Sequence, residues 1–295
     1  CYNPELAAEV TLQPIRRFGM DASIVFADIL LIPDGLGQEL EYVADKGPVL
    51  EPIRNLSDLS KLSLDGLHKR ASPVYETVSR VKAALPENVT LIGFAGAPWT
   101  VACYMVEGGG SRDHATVKHW AYEDPDSFAK LIDMLVVATV EYLKKQVEAG
   151  AEVLQLFDTW ASTLNEPAFV RWCLEPVQKI VTELRKFFPD IPIIGFPKGA
   201  GAGYVKFAKS AGVNGVSLDW SIPLEWARDE VQSLVTVQGN LDPRLVVVGG
   251  QAMELETYRI LETLGQGPLI FNLGHGIVPE TPLKNVGRLA EILRG

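Results

Sequence analysis

Apolar positions in this chain fall in short runs, and glycine, proline or acidic residues close almost every one. The runs at 22–26, 89–95, 152–157, 191–196, 215–219, 234–239 and 268–273 read as strands buried on both faces. Between them the apolar residues recur at helical spacing, at 73–85, 98–106, 115–122, 125–149, 166–187, 202–211, 223–231, 243–264 and 282–293. The 125–149 segment carries Leu131, Leu135, Ala138 and Tyr142 along one face, and Gly150 stops it. A further helix opens the chain, with Asn3 as cap and Pro4 in its first turn. The connection 33–56 is rich in glycine, proline and acids and has no clear period; a small hairpin fits at 43–53.

Strands that alternate with helices imply βαβ units and one parallel sheet covered on both sides. No linker or composition shift divides the chain, so residues 1–295 are expected to form a single domain. Seven strands suit either an open doubly wound sheet or a (β/α)8 TIM barrel short of one strand. The residues that follow the strands favour the barrel. They are Ala27-Asp28, Gly96-Ala97-Pro98-Trp99, Asp158-Thr159-Trp160, Pro197-Lys198-Gly199, Asp219-Trp220, Gly239-Asn240-Leu241-Asp242 and Gly274-His275-Gly276. A barrel gathers all of them at one carboxyl rim, where such folds keep their active sites, whereas an open sheet spreads them along an edge. The chain starts at Cys1 without a methionine and is already helical there, so an N-terminal segment carrying strand one is expected to be missing from it.

One run is anomalous. Ile24–Ile32, IVFADILLI, holds a single carboxylate, Asp28, among eight apolar residues. An unpartnered buried carboxylate costs several kcal/mol. Asp28 therefore either sits in a strand-end turn open to water or is buried against dedicated hydrogen-bond donors, and the run alone leaves both readings open.

Composition narrows the function. Hydrophobic residues make up 47% of the chain, yet no run approaches the roughly 20 residues that cross a bilayer, and no secretory leader is visible. The net charge of −10 argues against nucleic acid or an anionic membrane as partner. It also sits awkwardly with a polyanionic substrate unless a few cations are concentrated in one pocket. Three cysteines, Cys1, Cys103 and Cys173, with no CxxC or His-x-Cys spacing, fit a reducing cytoplasm and argue against a disulfide scaffold or a thiolate zinc site. His114 and His119 are five apart, off any common helical face, and read as surface residues rather than a metal pair.

Two glycine-rich stretches fail as nucleotide motifs. Gly199–Gly203 has its third glycine too early for a dinucleotide fingerprint, and Gly108–Ser111 lacks the Lys-Ser/Thr of a P-loop. Each reads better as a rim loop. No cysteine or serine nucleophile with a base is apparent. What remains is a convergence at the strand ends: the Asp28 carboxylate, the Tyr104 phenol, the Thr159 hydroxyl and the glycine-flanked imidazole of His275. Singly each is an ordinary structural residue; together on one rim they make a site.

Seven stretches, in order, resemble the uroporphyrinogen decarboxylase family: TLQPIRRFGMDASIVFADIL, LIGFAGAPWTVACYMVEGGGS, LQLFDTWA, IIGFPKGAG, GVSLDW, VQGNLDP and FNLGHGI, from residue 11 to residue 277. The resemblance implies a single-domain (β/α)8 barrel, a homodimer without metal or cofactor, that removes the four acetate carboxyls of uroporphyrinogen III as carbon dioxide to give coproporphyrinogen III. It implies that Asp28 is the family's central aspartate and that Tyr104, Thr159 and His275 bind substrate, with Lys198 as a further candidate. Thr159 stands where many members carry Ser. The family's RQAGRY motif, whose arginines bind carboxylates, lies upstream of everything here. Two alternatives stay open. A corrinoid or thiol methyltransferase of the same superfamily would need a His-x-Cys ligand set, and His275 is followed by Gly276 and Ile277. A tetrapyrrole-binding protein without catalysis would keep the pocket alone.

Overall fold

A computed structural model describes residues 1–43 and 47–295. Nine strands occur among these residues: β1 (Ala22–Ile24), β2 (Leu40–Val43), β3 (Gly47–Leu50), β4 (Thr90–Gly96), β5 (Val153–Asp158), β6 (Ile193–Pro197), β7 (Gly215–Ser217), β8 (Thr236–Leu241) and β9 (Leu269–Leu273). All seven strands expected from the sequence are present. They form one parallel sheet in the order β1-β4-β5-β6-β7-β8-β9, so sequence neighbours within this sheet are neighbours in space. β2 and β3 pair antiparallel as a separate hairpin, with Leu40 opposite Leu50. The expected hairpin at 43–53 is thus real but starts earlier, and residues 44–46 lie outside the described residues.

The sheet curls. Gln238 on β8 donates to Gln155 on β5, three strands away, at 3.4 Å, and to Ser217 on β7 at 2.6 Å. A side chain can bridge non-adjacent strands only across a concave interior. Gln155, Ser217 and Gln238 are all buried and form its polar floor. The curl stops short of closure: no pairing among the described residues joins β1 to β9. Ile24 and Phe26 on one side of the seam and Ile270 on the other are about two-fifths exposed. Helices cross where strands do not. Pro4–Phe18 packs on Leu283–Arg294, and the Arg294 guanidinium donates to the Phe18 carbonyl. The outer layer is otherwise the expected helical ring, with Pro125–Glu148 at its centre, packed on Leu67–Ala84, Pro98–Glu107 and Glu175–Arg185.

Local chemistry explains where elements begin and end. The Asn3 side chain accepts from Leu6 N–H at 3.1 Å and Pro4 fills the first helical position, as expected. Pro73 does not start its helix, which begins at Leu67; Pro73 stands seven residues in. The 243–264 segment is two helices, Pro243–Val248 and Gly250–Leu264, broken where Gly249 and Gly250 both take positive φ. The 166–187 and 223–231 segments each contain a wider π turn, at Val170–Leu174 and Ala227–Gln232.

The divergence of β1 from β4 sets the path by which the chain reaches the rim. Val25 N–H still donates to the Ile92 carbonyl, at 3.0 Å. The next β4 groups facing β1 are the N–H and C=O of Phe94, and β1 has left. Gln146, fully buried on Pro125–Glu148, takes both: its amide oxygen accepts from Phe94 N–H at 3.0 Å and its amide NH2 donates to Phe94 C=O at 2.9 Å. Gly93 makes room, since a Cβ there would meet the Gln146 oxygen at 2.6 Å. A helix side chain thereby stands in for a strand, and the chain after Ile24 is free to carry Asp28 to the rim.

Candidate functional site

Asp28 realises both readings of its run. Its Oδ1 accepts from Leu30 N–H at 2.9 Å, a turn bond two residues ahead that launches the short helix Leu31–Gly35. Its Oδ2 accepts from the Tyr42 hydroxyl at 2.8 Å. The carboxylate is half-buried, so it avoids most of the cost of full desolvation. Leu30, Leu31 and Ile32, by contrast, are buried in the core. The run is therefore a strand, a polar turn and a buried helix start within nine residues.

Tyr42 comes from the hairpin and is 61% exposed. Leu50 N–H donates to Gly108 C=O and Ile53 N–H to Met105 C=O, which ties the hairpin to the C-terminal end of the Pro98–Glu107 helix. That helix also carries Tyr104. Burial first, and then the charge of Asp28, hold the Tyr104 phenol above its ordinary pKa, with the Trp160 side chain working the other way. The Tyr104 and Trp160 rings are 6.3 Å apart. Thr159, directly before Trp160 at the end of β5, is half-buried. Asp28, Tyr104 and Thr159 thus belong to one side of the rim.

His275 lies on the other side with Lys198. Its imidazole is held below its ordinary pKa by burial first and by the Lys198 charge second, against the pull of Asp219. Lys198 extends its ammonium over the Trp220 ring at 5.4 Å. Gly274 packs so tightly that a Cβ would sit 2.6 Å from Trp220 N. Asp219, buried at the end of β7, accepts from Gly199 N–H, the Tyr204 hydroxyl and Ser221 N–H, all at 2.8–2.9 Å. The glycine-rich loop that failed as a dinucleotide motif has its first amide committed to this carboxylate.

Aromatic rings link the two sides. Phe94 and Phe157 meet edge to face at 5.5 Å, Phe157 and Phe196 at 6.2 Å, and Phe196 and His275 are 6.1 Å apart. Phe157 and Gln155 are two apart on β5, so this arc lies on the interior face above the polar floor. A flat or domed organic ligand seated here would meet ring faces below and polar groups at its margin.

Sequence reasoning passed over Tyr42 and the phenylalanine arc, and placed Trp160 at the rim without giving it a role. Alternate positions in a buried strand were a usable signal for the arc; Tyr42 reaches Asp28 only through the hairpin's docking. His114 corrects an expectation. It is buried, not a surface residue, whereas His119 is exposed. His114 adopts φ 54° after the Gly108–Gly110 loop, and its ring lies 4.7 Å from that of Trp160. That partner arrives from β5, beyond the reach of local spacing. Two concavities, of about 660 and 550 Å³, are lined by residues such as Ser162, Phe169 and Lys206, and Tyr2, Asp34 and Arg70. Neither contains Asp28, Tyr104, Thr159 or His275. Among the described residues no group of three or more His, Cys, Asp or Glu is placed to hold a metal, and no helix is long and apolar enough to cross a membrane.

One buried carboxyl stands apart. Asp158 is 1% exposed; burial pushes its pKa up to about 6, against the Thr100 and Cys173 side chains that favour its charged form. A raised carboxyl contributes stability below the ordinary carboxylate range and loses it as pH rises through about 6. Asp158→Asn is therefore expected to raise Tm more at pH 8 than at pH 4.5 in thermal melts; equal shifts at both pH values would show that burial does not strain this group.

The whole chain, residues 1–295, matches the family model described as uroporphyrinogen decarboxylase. A uroporphyrinogen decarboxylase of Rhodospirillum rubrum is 52% identical over 294 residues, covering all of this chain and 84% of that protein. One of Brucella anthropi is 49% identical over 295 residues, covering all of this chain and 86% of that protein. Among solved structures, a methyltransferase from Methanosarcina mazei superposes with a TM-score of 0.81 at 20% identity, over 99% of this chain and 85% of that one. A B12-independent methionine synthase from Shewanella superposes at 0.58 and 13% identity, over 99% and 87%. These two share the TIM-barrel-like α/β architecture and carry no argument about chemistry. Sequence identity over its full length decides the matter: this chain belongs to the uroporphyrinogen decarboxylase family.

Proposed function

We propose that this chain decarboxylates uroporphyrinogen III to coproporphyrinogen III, with Asp28 as the group on which the reaction turns. The observation that supports it is the match of all 295 residues to relatives of that name at about half identity. The geometry is suited to it. Uroporphyrinogen carries four pyrrole N–H groups that a domed conformation aims at one point, and Asp28 offers a carboxylate at the rim above an aromatic wall. Protonation of a pyrrole carbon beside an acetate makes the ring an electron sink. The bond from the methylene to the carboxylate carbon then breaks, its electron pair flows into the ring and carbon dioxide leaves. A proton returns to the methylene, which becomes a methyl group, and the ring loses the one it gained. A fixed carboxylate stabilises the positive charge as it develops. On this reading Tyr104, Thr159, His275 and the Lys198 ammonium receive the acetate and propionate groups. Action as a homodimer in the cytoplasm, without cofactor, accompanies this reading.

The test is anaerobic incubation with uroporphyrinogen, oxidation and chromatography. Porphyrins with seven to four carboxyls support the reading; an unchanged octacarboxylic porphyrin would leave a binding protein. Tyr42 gives a finer check. Its hydroxyl occupies the Asp28 oxygen that a pyrrole N–H needs. A net hydrogen bond of about 0.5–1.5 kcal/mol is lost when it is displaced. Tyr42→Phe is expected to lower KM by roughly two- to tenfold in steady-state assays, and a raised KM would make Tyr42 a substrate ligand instead.

A further inference from the structure

Thr159 owes its position to the residues on either side of it, and both are held by one hydroxyl. Thr100, fully buried on the Pro98–Glu107 helix, donates to Asp158 Oδ1 at 2.6 Å. The same hydroxyl oxygen accepts from Trp160 N–H at 3.1 Å. A second residue of that helix, Trp99, donates its indole N–H to the Trp160 carbonyl at 3.0 Å. The turn Asp158-Thr159-Trp160 is thereby bolted to the helix at three points, with Thr159 in the middle.

Thr100 and Tyr104 are four apart on that helix and so share a face. The Trp160 ring, positioned by the Thr100 hydroxyl, packs beside the Tyr104 ring. A fully buried carboxylate is an expensive way to stabilise a turn: the Cys173 thiol and the Thr100 hydroxyl and backbone N–H favour its charged form, yet burial outweighs them and Asp158 Oδ2 has no hydrogen-bond partner. A polar group kept in the core at such cost is expected where it serves a site rather than the fold.

We propose that Thr100, anchored by Asp158, is a positioning residue that locks Thr159 and Tyr104 into one rigid wall of the substrate site. The inference rests on the decarboxylase reading for its kinetic consequence but not for its structural one. Thr100 acts through the turn and touches no substrate itself. Its hydroxyl serves as donor and acceptor at once, so Ser can replace it and the isosteric Val cannot.

The experiment compares wild type, Thr100→Val and Thr100→Ser by steady-state kinetics well below their Tm and by amide hydrogen exchange of the 158–163 segment. Thr100→Val is expected to lower kcat/KM about tenfold, carried by KM, and to speed exchange at Trp160, with Thr100→Ser restoring both. A Thr100→Val enzyme with wild-type KM and wild-type exchange would overturn the proposal, as would a Thr100→Ser enzyme no better than Val. A lowered Tm with unchanged KM would also overturn it, assigning Thr100 to the fold alone. If wild type releases no carbon dioxide, the decarboxylase reading fails, and exchange at Trp160 still decides whether Thr100 holds the turn.

Discussion

Asp28→Asn is expected to lower kcat by about 10²–10³-fold while leaving the fold intact, a loss comparable to removing one preorganised donor from an oxyanion hole. Three features of Asp28 make this substitution a clean probe. The turn bond from Leu30 N–H needs only a side-chain oxygen, which Asn retains, and Asn is as good a turn and cap residue as Asp. The carboxylate is half-exposed, so losing its charge relieves no large buried strain. Tyr42, now a donor to Oδ2, can rotate its hydroxyl to accept from an Asn amide. The chemistry is less tolerant. An amide presents a donor to pyrrole N–H groups that are themselves donors, and it offers no charge to the protonated ring. Thermal melts should agree with wild type to within a few degrees, and the progress curve of decarboxylation should nearly flatten. Wild-type turnover by Asp28→Asn would sink the assignment of Asp28. Asp28→Ala would be less informative, since it also removes the turn bond that sets the Leu31–Gly35 helix.

Much of the fold was legible in residue order because a parallel barrel repeats one rule. Each strand is a short apolar run buried on both faces, and each helix is a longer run at helical spacing. The rim was legible for the same reason: a polar or glycine residue directly after an apolar run has few other causes. What the order of residues concealed were events that depend on another part of the chain. IVFADILLI reads as one block because two elements and a turn share nine residues, too few to show a period. Pro73 looks like a helix start, yet a helix already under way tolerates it. The hairpin that brings Tyr42 to Asp28 is attached through backbone groups of Met105 and Gly108, to which side-chain patterns are blind. His114 looks like surface until Trp160 arrives to cover it.

Gln146→Leu is expected to cost about 2–6 kcal/mol of stability, from two part-buried backbone groups left unpaired at about 1–3 kcal/mol each. The volume barely changes and Leu suits a helix, so neither packing nor propensity offsets the loss. The cause is specific to where β1 leaves the sheet. Past Val25 no strand among the described residues takes the N–H and C=O of Phe94, and the fully buried Gln146 amide covers both groups of this partly buried residue. Denaturant melts should show a lower midpoint with an unchanged slope. Gly93→Ala should fail in a related way, since its Cβ would fall 2.6 Å from the Gln146 oxygen and 3.0 Å from the Ala151 side chain. If Gln146→Leu proved as stable as wild type, the Phe94 groups would have found other partners and β1 would have to pair further along β4. That outcome would reach the site, because extending β1 draws residues 25–28 back into the sheet and withdraws Asp28 from the rim. The amide of Gln146 therefore couples stability to function: it holds open the divergence through which the chain carries Asp28 to the rim, on the side of Tyr104.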